Sequence, residues 1–154
     1  MPPIEHSRPR ESLDGEARVF FELEDSDLGD AEVLWGRWTT PATVRLDNIP
    51  LLVFDVSMAD VVRVTRDGDT LRFKVVSERG GHSTYRVMLE RAEEASTLDR
   101  LREIIVLGCG YEHLTPRFLA LDVPPNVDVF RVYDLLERGL EQGAWTFEEG
   151  HCGH

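Results

Sequence analysis

The residues best placed to do chemistry gather in one stretch, Gly80-Gly81-His82-Ser83-Thr84-Tyr85-Arg86. A histidine beside a serine suggests a hydrolase in which an imidazole activates a hydroxyl nucleophile. The spacing argues against it. Neighbouring side chains on a strand point to opposite faces, so His82 cannot activate Ser83 without a bulge, and no G-x-S-x-G elbow occurs elsewhere. His82 is a better candidate for a general acid or base working with a carboxylate from another segment, and Asp47 and Asp60, both at predicted turns, are the candidates. Asn48, His82, Ser83, Thr84 and Arg86 also make a set of donors and acceptors that would hold a small polar ligand without reacting with it. Ordinary turn chemistry competes with both readings: Gly80 and Gly81 bend the chain, Asp47 and Asn48 bond to nearby backbone, and Ser83, Thr84 and Arg86 bond main chain and acids.

His151-Cys152-Gly153-His154 offers three zinc-type donors, to which Cys109 and His113 could add. The run is expected at an untethered end, where adjacent donors chelate poorly without a second scaffolded pair, so His151, Cys152 and His154 are weak candidates and no metal site is expected. No cofactor is expected either, since the sequence has no phosphate loop, no G-x-G-x-x-G and no H-E-x-x-H. The two cysteines, Cys109 and Cys152, form neither a disulfide framework nor a C-x-x-C pair, which implies a reducing compartment and a cytoplasmic location.

Charge narrows the partners. The net charge of -12 repels the phosphate backbone on which nucleic-acid affinity rests, and no cluster of Lys and Arg offsets it, so nucleic acid is excluded as a partner. The same charge suits a basic protein partner, with Glu22, Glu24, Asp25, Asp27 and Asp30 as its docking patch. The longest apolar run, 49–54, is far short of the roughly 20 residues that cross a bilayer, so no membrane role is expected.

Residues 1–16, Pro-rich and charged, read as a flexible arm with no signal-peptide core. Residues 17–79 read as a β-rich lobe. Val19, Phe21 and Leu23 alternate with Arg18, Phe20 and Glu22, further strands are predicted over 33–38, 43–46, 61–66 and 70–77, and Asp67-Gly68 marks a hairpin. The expectation is a small curled antiparallel sheet or partial barrel. Past the double glycine, residues 80–150 predict strand, helix, two strands, helix and strand. Ser96 is expected to cap the first helix, with Leu98, Leu101 and Ile105 as its stripe, and Val129, Val132, Leu136 and Leu140 mark the second. The predicted fold class is therefore α+β, a curled antiparallel lobe followed by a ferredoxin-like βαββαβ lobe, with 151–154 as a tail. Two helices cover one face of such a sheet. The other, carrying Arg86, Met88, Phe118 and Ala120, needs the first lobe or a second subunit as cover, which would admit a homodimer.

On three of these pieces the chain resembles a bacterial family known as domain of unknown function 4265: Leu46-Asp47-Asn48-Ile49-Pro50, the Asp60-Val61-Val62 step, and Gly81-His82-Ser83-Thr84-Tyr85-Arg86-Val87. The likeness runs from about Val19 to Glu149. Ala59 stands where the family pattern implies a glycine, and the pattern does not require histidine at 82, which counts against His82 as a catalyst common to the family. The resemblance implies no reaction.

The reading adopted from the sequence is a non-catalytic binding or regulatory module that recognises a small polar ligand or a protein partner where its lobes meet. Its rivals are an acid/base enzyme using His82 with Asp47 or Asp60, and an acidic immunity or antitoxin-type protein that blocks a basic partner.

Overall fold

The computed structural model describes residues 2–7, 15–24 and 26–154. Burial along the first strands follows the two-residue period that the sequence carries. In β2, after the short β1 (Ile4–Glu5), residues Glu16–Glu22 bury Ala17, Val19 and Phe21 and expose Arg18 and Glu22. β3 (Ala31–Thr40), β4 (Thr43–Leu46), β5 (Val61–Asp67) and β6 (Thr70–Glu78) complete the set. Val19, Phe21, Leu34, Val44, Leu46, Val62 and Val64 pack together as its interior.

The strands form a closed ring. β2 pairs antiparallel with β3 and parallel with β6, while β6, β5 and β4 pair in turn and β4 returns to β3. β3 permits closure because one of its edges serves two partners: Glu32 and Val33 take β1 in parallel, and the stretch from Gly36 onward takes β4. Gly36 is where the two backbones come closest. A Cβ there would lie 2.4 Å from the Arg45 carbonyl oxygen, so the closure requires glycine.

β7 (Ser83–Leu89), α1 (Ala95–Ile105), β8 (Gly110–His113), β9 (Phe118–Val123), α2 (Val129–Glu141) and β10 (Trp145–His151) follow. Their strands form an antiparallel sheet in the order β10-β7-β9-β8. One face of this sheet presents Tyr85, Val87, Leu89, Leu119 and Leu121 to Leu101 and Ile104 of α1 and Val132 and Leu136 of α2, with Trp145 in the same cluster. Asp128 caps α2, accepting from the backbone N–H groups of Phe130 and Arg131. Ser96 does not cap α1, which begins one residue before it with Glu94 at the cap position and no side-chain cap bond.

These findings correct the expected fold class. A curled antiparallel lobe followed by a ferredoxin-like lobe does not describe the molecule, which is mostly β, is built on a closed five-stranded barrel with a parallel pairing, and has among its described residues two short helices of 11 and 13 residues. Alternation in sequence marks where strands lie. It carries nothing about which edge each strand takes, and here the chosen edges close a ring.

The ends of the chain also differ from expectation. Part of the stretch read as a flexible arm runs along β3, and His6 in it is buried. The tail is tethered: His151 belongs to β10, and His154 Nε2 lies 2.9 Å from the Pro124 carbonyl oxygen and 3.1 Å from that of Val127.

Candidate functional site

The segment 47–60, between β4 and β5, lies between the barrel and the second sheet. Its Ile49 and Leu51 pack on Ala120 of β9, which covers part of the face that the sequence left open. Met88 on that face remains 38% exposed.

Two carboxylates, the buried Glu32 and the half-buried Glu112, hold this segment. Glu32 of β3, 0% exposed, accepts from three consecutive backbone N–H groups, Leu51 at 2.7 Å and Leu52 and Val53 at 2.9 Å each. Its Oε2 also lies 2.5 Å from His6 Nε2, and His6 Nδ1 lies 3.1 Å from Glu112 Oε1 on β8. Glu112 in turn accepts from the Ile49 N–H and from Asn48 Nδ2, and Asn48 Oδ1 accepts from the Trp35 N–H. Burial works against the His6 imidazolium, but hydrogen bonds to Glu112 and Glu32 and their charges outweigh it and raise its pKa to about 9. Burial likewise favours the neutral form of Glu32, yet His6 and the Leu51 and Leu52 N–H groups hold its pKa below the usual carboxylate value. His6 is therefore a cation clamped between two anions.

Arg86 is on the same face of the second sheet and is 2% exposed. Its Nη2 donates to the Val53 carbonyl oxygen, the Phe54 ring lies 4.4 Å from its Cζ, and the backbone at Gly150 packs so closely that an added Cβ would sit 3.3 Å from the guanidinium. Nε and Nη1 are buried without a hydrogen-bond partner. Glu148 Oε1 approaches Nη1 at 3.7 Å, within ion-pair range but beyond a hydrogen bond. Burial lowers the pKa of Arg86, against the pull of Glu32 and Glu148.

Arg86 lines the floor of a cleft of about 560 Å³ between the barrel and the second sheet. Phe21, Phe54, Phe73 and Leu28 supply apolar walls, and Glu22, Glu24, Asp27 and Glu148 surround it with negative charge. Three residues of the acidic patch expected for a basic partner thus border this cleft; Asp25 lies outside the described residues.

The structure does not join His82 to Asp47 or Asp60. His82 Nδ1 lies 2.8 Å from Asp122 Oδ1 on β9. Asp60 accepts from the Ser57 and Gly80 N–H groups and from Arg79, and Asp47 lies 3.9 Å from Arg37. Ser83 Oγ accepts from the Gly153 N–H and lies 2.7 Å from His154 Nδ1, while Thr84 Oγ1 lies 2.6 Å from Ser57 Oγ, itself 2.9 Å from His151 Nδ1. Two of the weak metal candidates, His151 and His154, thus bond to different serines, and Cys152 is exposed. Cys109 is buried, which pushes its thiol up to about 11. Among the described residues, no group of three or more His, Cys, Asp or Glu side chains is arranged to hold a metal ion, and no helix is long and apolar enough to cross a membrane.

Of the ligand-binding candidates read from the sequence, Arg86 lines the cleft, while Asn48 bonds to Trp35 and Glu112 and Thr84 to Ser57; Glu32, His6, Glu112, Asp122 and Phe54 were not among the candidates. Glu32 between Ala31 and Val33-Leu34, and Asp122 between Leu121 and Val123, did carry a signal, since a lone charge in an apolar strand asks for a buried partner.

A model of the family described as domain of unknown function (DUF4265) matches residues 32–147. The chain belongs to this family. The match takes in the segment 47–60, Arg86 and Glu112, and stops short of His6 and His151. Ala59, where the family pattern implies glycine, has φ 69°, a left-handed conformation that glycine adopts without steric cost. A crystal structure of a hypothetical protein from Neisseria gonorrhoeae is similar with a TM-score of 0.73 at 18% identity, covering 94% of this chain and 99% of that one. At that identity the likeness concerns the fold alone. No curated protein matches the chain.

Proposed function

We propose that the protein is a non-catalytic binding module and that its ligand is a small polar molecule seated in the cleft over Arg86. The observation that carries this reading is a guanidinium 2% exposed with Nε and Nη1 lacking a hydrogen-bond partner. Buried N–H groups are rarely left in that state, because each forfeits hydration without recovering a bond. The cleft volume lies within the range of small-ligand sites.

Arg86 is a recognition group here. Its guanidinium is a planar fork of N–H donors with no acceptor, suited to holding an acceptor in place. The acid/base alternative retains one support, the Asp122 carboxylate that orients His82 through Nδ1.

One screen separates the two. Small polar compounds are tested for thermal stabilisation of the wild type, Arg86→Met and His82→Ala. Compounds that stabilise the wild type and His82→Ala but not Arg86→Met are the expected result. Equal stabilisation of Arg86→Met would remove the cleft from consideration, and selective loss with His82→Ala would favour the His82–Asp122 pair.

A further inference from the structure

What Arg86 lacks defines the ligand more closely. We infer that the ligand is a primary amine with a neutral oxygen acceptor at its far end, of the mono-acylated diamine class, whose carbonyl oxygen bonds to Arg86 while its ammonium meets the carboxylates around the cleft. This inference rests on the cleft being the binding site.

Arg86 is short of hydrogen bonds and not of counter-charge. Glu148 Oε1 lies 3.7 Å from Nη1, close enough to balance the guanidinium charge and too far to accept a hydrogen bond from it. The charge of Glu32 also reaches the guanidinium. A ligand carboxylate at Nη1 would therefore set a further anion beside Glu148 and be repelled by it. A neutral oxygen supplies the missing acceptor without that cost.

The rest of the cleft selects the other end of the ligand. Glu22, Glu24 and Asp27 are exposed around it and, with Glu148, set four carboxylates against one cation. Such a field draws in a cation and repels an anion. Leu28 and Phe54, 50% and 55% exposed, offer apolar surface in the same cleft and suit an aliphatic stem. Acceptor, stem and ammonium in that order describe an acylated diamine.

Phe54 stays where it is. Its ring lies over the guanidinium at 4.4 Å, and the N–H bonds lie in the guanidinium plane, so none of them points at the ring. Glu148 is the side chain that yields. It is 58% exposed, and it lines both this cleft and a second one of about 270 Å³, which Arg86 also borders together with Met88 and Phe118. Turning toward the second cleft makes room beside Nη1. The carboxylate still acts on Arg86 from there, because Coulomb attraction falls off slowly with distance whereas a hydrogen bond needs contact.

The test is calorimetric titration with four probes on similar chains. N-Acetylputrescine carries both groups, hexylamine lacks the acceptor, N-butylacetamide lacks the ammonium, and 6-aminohexanoate has a carboxylate in place of the amide. N-Acetylputrescine is expected to bind the wild type best, with hexylamine and N-butylacetamide weaker by roughly tenfold or more, the worth of one hydrogen bond to a charged group. 6-Aminohexanoate should also bind more weakly. Glu148→Gln, at an exposed position, removes the counter-charge and should reverse the order of N-acetylputrescine and 6-aminohexanoate. Arg86→Met should abolish the advantage of N-acetylputrescine over hexylamine. Tighter binding of 6-aminohexanoate than of N-acetylputrescine by the wild type, or hexylamine as tight as N-acetylputrescine, would overturn the neutral acceptor. N-Butylacetamide as tight as N-acetylputrescine would overturn the cationic end. Failure of all four, with another screened compound still depending on Arg86, would overturn the ligand class and leave the cleft standing. Failure of all four with no screened compound depending on Arg86, or a lysine-rich peptide bound equally by the wild type and Arg86→Met in their place, would overturn both.

Discussion

The two faces of the second sheet are held in opposite ways, although the same strands supply both. Toward the helices, Tyr85, Val87, Leu89, Leu119 and Leu121 close a dry interior with Leu101, Leu136 and Trp145. Toward the barrel, the same strands contribute Thr84, Arg86, Asp122 and Glu112, and a small apolar contact of Ile49, Leu51 and Ala120 is framed by ions. The helical face depends on burial, which is non-directional and independent of pH. The barrel face depends on charges taken out of water, each of which needs its partner, so position is specified at the cost of sensitivity. A binding site belongs on the second kind of face.

The largest effect should separate the faces directly. Glu32→Ala leaves three buried N–H groups and the His6 cation without their acceptor, and is expected to cost about 3 to 5 kcal/mol in denaturant unfolding. Leu136→Ala, fully buried on the helical face, should cost about 2 to 5 kcal/mol, by the same amount at pH 6 and pH 9. If the Glu32→Ala cost were equally flat with pH, the contrast between the faces would fail.

His6 gives that contrast its pH axis. Its folded pKa of about 9 lies above the unbound value of 6.5, so its contribution is full below pH 6.5 and disappears as pH rises through 9, a change on the order of 3 kcal/mol. Glu32 acts in the opposite window: its depressed pKa gives stability that is present above 4.5 and lost on acidification. Unfolding free energy measured across pH 6 to 8.5, below the range in which the Cys109 thiol adds its own pH dependence, should fall in the wild type and stay nearly level in His6→Ala.

Two smaller effects test packing. Gly139 of α2 should resist Ala despite the gain in helix propensity, because a Cβ there would lie 2.1 Å from the Trp145 ring; a net loss of roughly 1 to 3 kcal/mol is expected, read as a lower melting temperature. Ala59→Gly should instead raise stability by about 0.5 to 1 kcal/mol, since φ 69° strains any residue with a Cβ, and no change would mean that the turn is held with strain to spare.

The contrast also explains what the sequence could reveal. The helical face was legible in part because it follows periodicity: Leu101 of α1 and Val129, Val132 and Leu136 of α2 are buried as their spacing predicts, whereas α1 leaves the expected Leu98 exposed and buries Thr97 and Ile104 instead. The barrel strands were legible for the same reason. Their closure was not, because the β2–β6 parallel pairing and the double use of the β3 edge are decided by contacts far apart in the chain. The barrel face was the least readable. Arg86 stood out in a polar stretch, but its partners come from 53–54 and Glu148, and His6 sits in a charged arm with nothing local to announce its burial.

The most direct measurement is the nitrogen-15 NMR resonance of Arg86 Nε–H, followed while a screened compound that stabilises the wild type but not Arg86→Met is added, with Trp145 Nε1–H, bonded to the Leu136 carbonyl oxygen on the dry face, as internal reference. The expected result is a saturable shift at Arg86 and none at Trp145. An Arg86 resonance unmoved while the ligand saturates the protein elsewhere would contradict a site at this cleft.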